Sequence, residues 1–259
     1  MATNNSIFKL LGNCIACLIG LTLIASHICY GYIMPAEQLL EFMTKNFSNF
    51  KTVLITQSTL QKRLDGERFF TEQIRMKSPD LFDLKVLDRV EERVELPDMA
   101  YRQLLIANSS WRLEQILSMM GINLQAVAFT RIDGIIAYRI GEKESYRPKL
   151  LIEKERFLPL LLIYNSREDL SENMVTVRFQ DYRKQDEGWY PFEITYDLGD
   201  KIREEYTIQS FQPNEPVDPS LLQTLDIKPH QSQVPEKGLS DVEEERLRDI
   251  IKAFEEKYQ

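Results

Sequence analysis

From Lys51 to Gln212 the sequence is one short period-two run after another, broken by a single helical stretch. "VLITQSTLQ", "RFFTEQIRM" and "LFDLKVLD" come first; "AVAFTRI", "GIIAYRIG", "KLLIEK", "LPLLLIYN", "NMVTVRFQDYRK", "WYPFEITYDLG" and "KIREEYTIQSFQ" follow. Alternation of apolar and polar residues marks a strand with one buried and one wet face. In "PFEITYDL", Phe192, Ile194, Tyr196 and Leu198 share one face, and in "LFDLKV" Phe82, Leu84 and Val86 do. Ser78-Pro79-Asp80 supplies a turn between two of the runs, so residues 67–87 read as a hairpin, and Leu198-Gly199-Asp200-Lys201 marks another. Short turns between consecutive strands require an antiparallel meander, not β-α-β units. The count comes to about nine to eleven strands, and a sheet that long must curl or close. The fold class is therefore mainly β (α+β): a long, curved antiparallel sheet accompanied by helices.

Two helices interrupt the strand pattern. "PAEQLLEFMTKNFSNF" places Ala36, Leu39, Leu40, Met43, Phe47 and Phe50 at three- and four-residue steps, with Pro35 at the start. Residues 97–121 are helical with a polar break at Asn108-Ser109-Ser110, and Trp111, Ile116, Leu117 and Met120 form an apolar stripe that Gly121 ends.

The chain ends differ from the middle. Residues 1–31 hold Lys9 and no carboxylate, then an apolar run from Leu10 to Ile28 and small residues before Tyr32. That order describes a cleavable export signal, with an uncleaved inner-membrane anchor as the alternative. Cys14, Cys17 and Cys29 all fall in this segment. A chain cleaved after Gly31 would have no disulfide, no cysteine nucleophile and no cysteine metal site, which suits export to an oxidising compartment. Residues 32–222 read as the sheet domain, 223–239 as a proline-rich linker, and 240–259 as an amphipathic helix striped by Val242, Leu247, Ile250, Ile251, Phe254 and Tyr258.

Chemistry-bearing residues are sparse. The formal charge of −8 disfavours nucleic acid as a partner. His27 leaves with the signal and His230 sits in the linker, so histidine triads and histidine metal sites lack raw material. No glycine-rich phosphate loop occurs. The expectation is a binding module with no catalytic residues, no metal and no cofactor. A hydrolase with two facing carboxylates is the competing class.

The order of the motifs carries a resemblance. One amphipathic helix, "FKTVLITQS", a hairpin with "KSPDLF", then "LLIEKERFLPLLLIY" and "VRFQDYRKQDEGWYPFEITY" resemble the periplasmic lipoprotein-carrier (LolA/LolB-like) superfamily of outer-membrane lipoprotein-sorting proteins over roughly residues 35–222. The resemblance implies an incomplete (half) β-barrel with helices covering its concave apolar face, a cavity there that receives the acyl chains of a lipoprotein or lipid, and transfer proteins of the inner or outer membrane as partners, the carrier itself being monomeric. Residues that would line the cavity are Phe82, Leu84, Val86, Ile135, Ala137, Leu160, Leu162 and Ile194 on strands, with Trp111, Leu117 and Met120 on the covering helix. For each, plain core packing is the competing role. In such carriers an arginine in the early "K-R-P" segment latches the lid; Ser78 stands there in this chain, and Arg75 or Lys77 would substitute in a shifted register. The same half-barrel could also serve as an envelope sensor that binds lipid or misfolded protein and a membrane partner.

Overall fold

The computed structural model describes residues 32–47, 49–88, 98–165, 174–185, 188–199 and 202–224. The export segment, most of the linker, the C-terminal helix, and turn residues Asp200 and Lys201 lie outside the described residues. Eleven strands form one open antiparallel sheet in the order β11-β3-β2-β1-β10-β9-β8-β7-β6-β5-β4. They are β1 (Thr52–Arg63), β2 (Gly66–Lys77), β3 (Leu81–Val86), β4 (Val127–Ile132), β5 (Ile135–Gly141), β6 (Lys149–Glu153), β7 (Pro159–Asn165), β8 (Met174–Gln185), β9 (Gly188–Leu198), β10 (Ile202–Pro213) and β11 (Gln223–Thr224). Nearly every neighbour in the sheet is also a neighbour in sequence, as short turns dictate. The exceptions are β1 against β10, which joins the first meander to the second, and β11, whose Gln223 and Thr224 extend the sheet past residue 222 against Phe82 and Leu81.

The cover has three pieces: α1 (Ala36–Thr44), a 3-10 helix (Ala100–Ile106) and α2 (Ser110–Met119). α1 buries Leu39, Leu40 and Met43 completely, and the turn after it buries Phe47 and Phe50. That turn docks on the sheet where Asn46 O accepts from Trp189 N at 3.1 Å. Gly188 permits the approach: a Cβ there would lie 2.2 Å from Asn46 O. Ser109 caps α2, its Oγ accepting from Arg112 N at 3.3 Å.

One apolar core fills the space between concave face and cover. Inward residues of the sheet include Ile55, Ile74, Ile140, Leu150, Leu162, Val177, Phe179 and Ile194; the cover contributes Leu104, Leu105, Leu113, Ile116 and Leu117. β10 keeps its inward set through a bulge: Gln57 opposes Ile208 while Thr56 opposes Ser210, so Ile208 and Phe211 both face inward. A second, smaller cluster lies on the outer face, where Ala137, Leu151, Leu161 and Ile163 are buried. β5, β6 and β7 are thus apolar on both faces, which is why their sequences read as near-continuous hydrophobic runs.

Candidate functional site

The connection from β3 to β4 builds the site. β3 lies beside the short β11 at one end of the sheet, and β4 is the edge strand at the other. The segment between them, which includes the 3-10 helix and α2, therefore straps the concavity from one side to the other. Among the described residues, neither the helices of this segment nor α1 is inserted into the ladder, so the strand-to-strand hydrogen bonds there do not depend on the cover. The strap is pinned at its start by Asp98, whose Oδ1 accepts from Ala100 N at 2.8 Å and whose Oδ2 accepts from the Tyr164 hydroxyl at 2.5 Å. Burial, then the adjacent Asp98 carboxyl, hold the Tyr164 phenol well above its ordinary pKa.

Beneath the strap the concave face divides in two. Across β6 to β9 it is apolar, with Leu150, Leu162, Val177, Phe179 and Ile194 almost fully buried. Across β1, β2 and β10 it is polar. Gln57, Thr59 and Gln61 follow Val53 and Ile55 on the inward face of β1, and Glu72 and Glu204 face them from either side. Gln57 Nε2 donates to Glu72 Oε2 at 3.0 Å and Thr59 Oγ1 donates to the same oxygen at 2.5 Å. Gln61 Nε2 donates to Glu204 Oε1 at 2.5 Å, and the Tyr206 hydroxyl donates to Glu204 Oε2.

Into this patch the strap inserts Arg102, at 0% exposure. Its Nη2 donates to Gln57 Oε1 at 2.7 Å, its Nη1 to the Tyr190 hydroxyl at 3.3 Å and its Nε to the Tyr101 hydroxyl at 3.0 Å. Its guanidinium carbon lies 5.0 Å from the Tyr206 ring centre and 5.2 Å from that of Tyr101. Burial alone would lower the pKa of Arg102; the phenols of Tyr101, Tyr190 and Tyr206 more than offset this, and the net shift is upward. Burial likewise raises the Tyr101 and Tyr190 phenols, with Arg102 opposing the rise. Both amide atoms of the neighbouring Gln103 are buried without a hydrogen-bond partner.

The expected lining residues separate into three groups. Leu117, Met120, Leu162 and Ile194 are in the main core. Phe82, Leu84 and Val86 stand opposite Met76, Ile74 and Glu72 on the inward face and are half-buried; among the described residues β3 has the two residues of β11 beyond it. The remaining four lie elsewhere. Ala137 and Leu160 face the outer cluster. A bulge is responsible for Leu160: Leu151 opposes Leu161 but Ile152 opposes Pro159, so Leu160 is the extra residue and leaves the face of Leu162. On β5 it is Tyr138 and Ile140 that face inward, while Ile135, beside the β4–β5 turn, is 41% exposed. Trp111 is 64% exposed, because it stands about 200° around α2 from Leu113, where the buried stripe begins. Arg75 is no latch: it pairs with Asp83 at 2.8 Å on the outer face. The buried arginine comes from the strap instead.

A cleft of about 480 Å³ opens where α1, α2 and β4 meet, lined by Ile33, Met34, Leu124 and Val127 with Glu37 and Glu114. Among the described residues no group of His, Cys, Asp and Glu could hold a metal, and no helix is long and apolar enough to cross a membrane.

No family model matches the chain, and no curated protein does. Solved structures with a similar fold include an outer membrane lipoprotein-sorting protein domain from Vibrio parahaemolyticus, at 10% identity and a TM-score of 0.47, covering 71% of this chain and 96% of that one. A LolA superfamily protein from Nitrosomonas europaea is similar at 14% identity and a TM-score of 0.45, covering 71% of this chain and 96% of that one.

Proposed function

We propose that this chain is a non-enzymatic periplasmic carrier that holds the acyl chains of a lipoprotein or lipid against the apolar half of its concave face. One observation carries the reading: the strap covers that face without being part of the sheet. It can therefore be exchanged for another apolar body while the ladder stays intact. The energies are commensurate. Burying a leucine-sized side chain contributes about 2 kcal/mol, so five of the strap's buried apolar side chains, Leu104, Leu105, Leu113, Ile116 and Leu117, contribute on the order of 10 kcal/mol. A sixteen-carbon chain, at about 0.8 kcal/mol per methylene, gains on the order of 12 kcal/mol in the same place. An acyl chain thus offsets about what those five side chains contribute, so part of the strap can give way to it and return on release. Half-buried Phe82 and Leu84 at the thinly covered β3 end mark the side of entry.

The reading includes export by residues 1–31, a monomeric carrier, and transfer to membrane-bound partners, with residues 240–259 as the contact segment. Mass spectrometry of the protein purified natively from its own envelope tests it. An acyl-bearing molecule at close to one per chain is expected. Recovery of the chain without lipid or acylated protein contradicts the proposal.

A further inference from the structure

At the β4 margin of the sheet the concave face runs out from under its cover. Phe129 and Arg131 of β4 stand opposite Tyr138 and Ile136 of β5, so the four share the inward face. Tyr138 is 4% exposed there, whereas Phe129 is 41% and Ile136 42% exposed. The rings continue as a row. Between centres, Phe129 lies 4.7 Å from Tyr138, Tyr138 lies 6.3 Å from Phe157 in the β6–β7 turn, and Phe157 lies 4.8 Å from Phe42 of α1. Backbone and side-chain bonds fix the row in place: Ile136 O accepts from Lys154 N at 3.1 Å, and Asn46 Nδ2 donates to Arg156 O at 2.8 Å. An ammonium stands over each end, Lys154 Nζ 5.6 Å from the Phe129 centre and Lys45 Nζ 4.7 Å from that of Phe42. Lys45 pairs with Glu41 at 3.2 Å, but the exposed Arg131 and Lys154 have no carboxylate partner among the described residues. The opposite end of the strands differs. Leu64, in the β1–β2 turn, is 93% exposed, yet its neighbours include Glu67 and an Asp65 that pairs with Arg68 at 2.9 Å.

We propose that the β4–β5 end of the sheet docks on an anionic bilayer surface. Phe129 and Ile136 enter the boundary between headgroups and acyl chains, and Arg131, Lys154 and Lys45 meet the lipid phosphates. Exposed rings and an isoleucine gain from leaving water at any apolar contact. The bilayer is selected by the long-stemmed cations that lie over those rings. Their stems stay along the apolar surface while the charged heads reach the phosphate layer. A row already fixed by the fold also loses little freedom on docking. The chain as a whole carries a formal charge of −8 and is repelled by an anionic surface, so the unpaired cations decide which end approaches. The inference goes beyond the carrier reading and does not depend on it, because docking requires no acyl chain in the concavity.

The test labels Ile136→Cys with the environment-sensitive dye NBD in a full-length chain whose Cys14, Cys17 and Cys29 are replaced by serine. Vesicles of phosphatidylglycerol and phosphatidylethanolamine are then added. The dye reports on the hairpin itself, so the result does not turn on whether residues 1–31 are retained. Its emission is expected to rise at least twofold and shift to the blue, while the same dye at Leu64→Cys changes little. Phosphatidylcholine vesicles, or 0.5 M salt, should at least halve the response at position 136. R131E with K154E should abolish it. A melting curve checks that this variant is folded, and the lipid and salt comparisons on the parent decide the matter if it is not. No response at position 136, an equal response at position 64, or an equal response to neutral vesicles overturns the membrane face. A response to lipid-free envelope proteins but not to vesicles also overturns it, and assigns the patch to a protein partner. Binding of an S-hexadecyl peptide without vesicles is measured alongside and should survive R131E with K154E. Its loss in that variant alone overturns the docking role by placing the patch in the acyl site, whereas its absence from the parent contradicts only the carrier reading.

Discussion

On the β6–β9 side of the concavity, Leu162, Val177, Phe179 and Ile194 meet the strap through methyl groups and rings alone. On the β1–β2–β10 side, Gln57 meets it through a hydrogen bond from Arg102, and Thr59, Glu72, Gln61 and Glu204 behind it are hydrogen-bonded within the sheet. The first surface accepts any apolar body of the right bulk, because dispersion and water exclusion do not discriminate between a leucine and an acyl chain. The second tolerates little substitution, because an unpaired polar group in that interior costs more than the pairing gained. Capacity and selectivity are thus divided between two halves of one sheet.

The comparison breaks most sharply under truncation. Phe179→Ala in the apolar half should cost about 3–5 kcal/mol in urea unfolding, through lost burial and the cavity left behind. An effect below 1 kcal/mol would mean that this half is not packed. Arg102→Met in the polar half should cost about 3 kcal/mol, since it strands the buried Gln57 oxygen and takes the donor from the Tyr190 hydroxyl. Here the halves part company: adding Glu72→Leu and Gln57→Leu should recover much of the loss, as apolar replacement of a whole buried network does. No companion substitution of that kind rescues Phe179→Ala.

Alkaline pH should weaken both halves together. Tyr101 on the strap, Tyr190 beneath it, Tyr164 at its pin, and Tyr182, whose hydroxyl donates to Pro159 O at 2.7 Å, all have phenols raised chiefly by burial. A raised folded-state pKa contributes stability that is complete below the unfolded value, near 10, and is lost as the pH climbs from there towards the folded one. Each such tyrosine then removes about 1.4 kcal/mol per pH unit. Phenolate absorbance should therefore appear together with unfolding above about pH 10, and a smooth early titration of these residues would contradict their burial. A smaller effect sharpens the role of the pin: Tyr164→Phe should cost about 1 kcal/mol and speed hydrogen exchange in the strap more than in β7. Smallest of all, Trp111→Ala should change stability by less than about 0.5 kcal/mol and leave acyl binding intact, as befits a residue outside the stripe.

The sheet was legible in the chain because clean alternation survives wherever one face is wet. "PFEITYDL" and "RFFTEQIRM" both lie in the phase that the structure shows. Alternation fails on β5 and β7, which are apolar on both sides, so the choice between Ala137 and Tyr138 had no polar residue to guide it; the bulge at Leu160 leaves no trace in the pattern either. The polar half did leave a signal. Glu72 stands in phase with Phe70, Ile74 and Met76, and Gln57, Thr59 and Gln61 in phase with Val53 and Ile55. A charged residue on the buried phase of a strand marks an interior polar site as firmly as leucine marks the core. Arg102 left none, because all seven residues of its 3-10 segment are buried and amphipathic periodicity has nothing to report there.

The central claim is that strap and acyl chain compete for one apolar face. Hydrogen exchange of the strap, residues 98–120, with and without a saturating hexadecyl-bearing peptide, tests it most directly. The account predicts that the strap amides exchange at least tenfold faster in the loaded protein while β7, β8 and β9 remain protected. Strap amides that stay unchanged or slow down when the chain binds would contradict it.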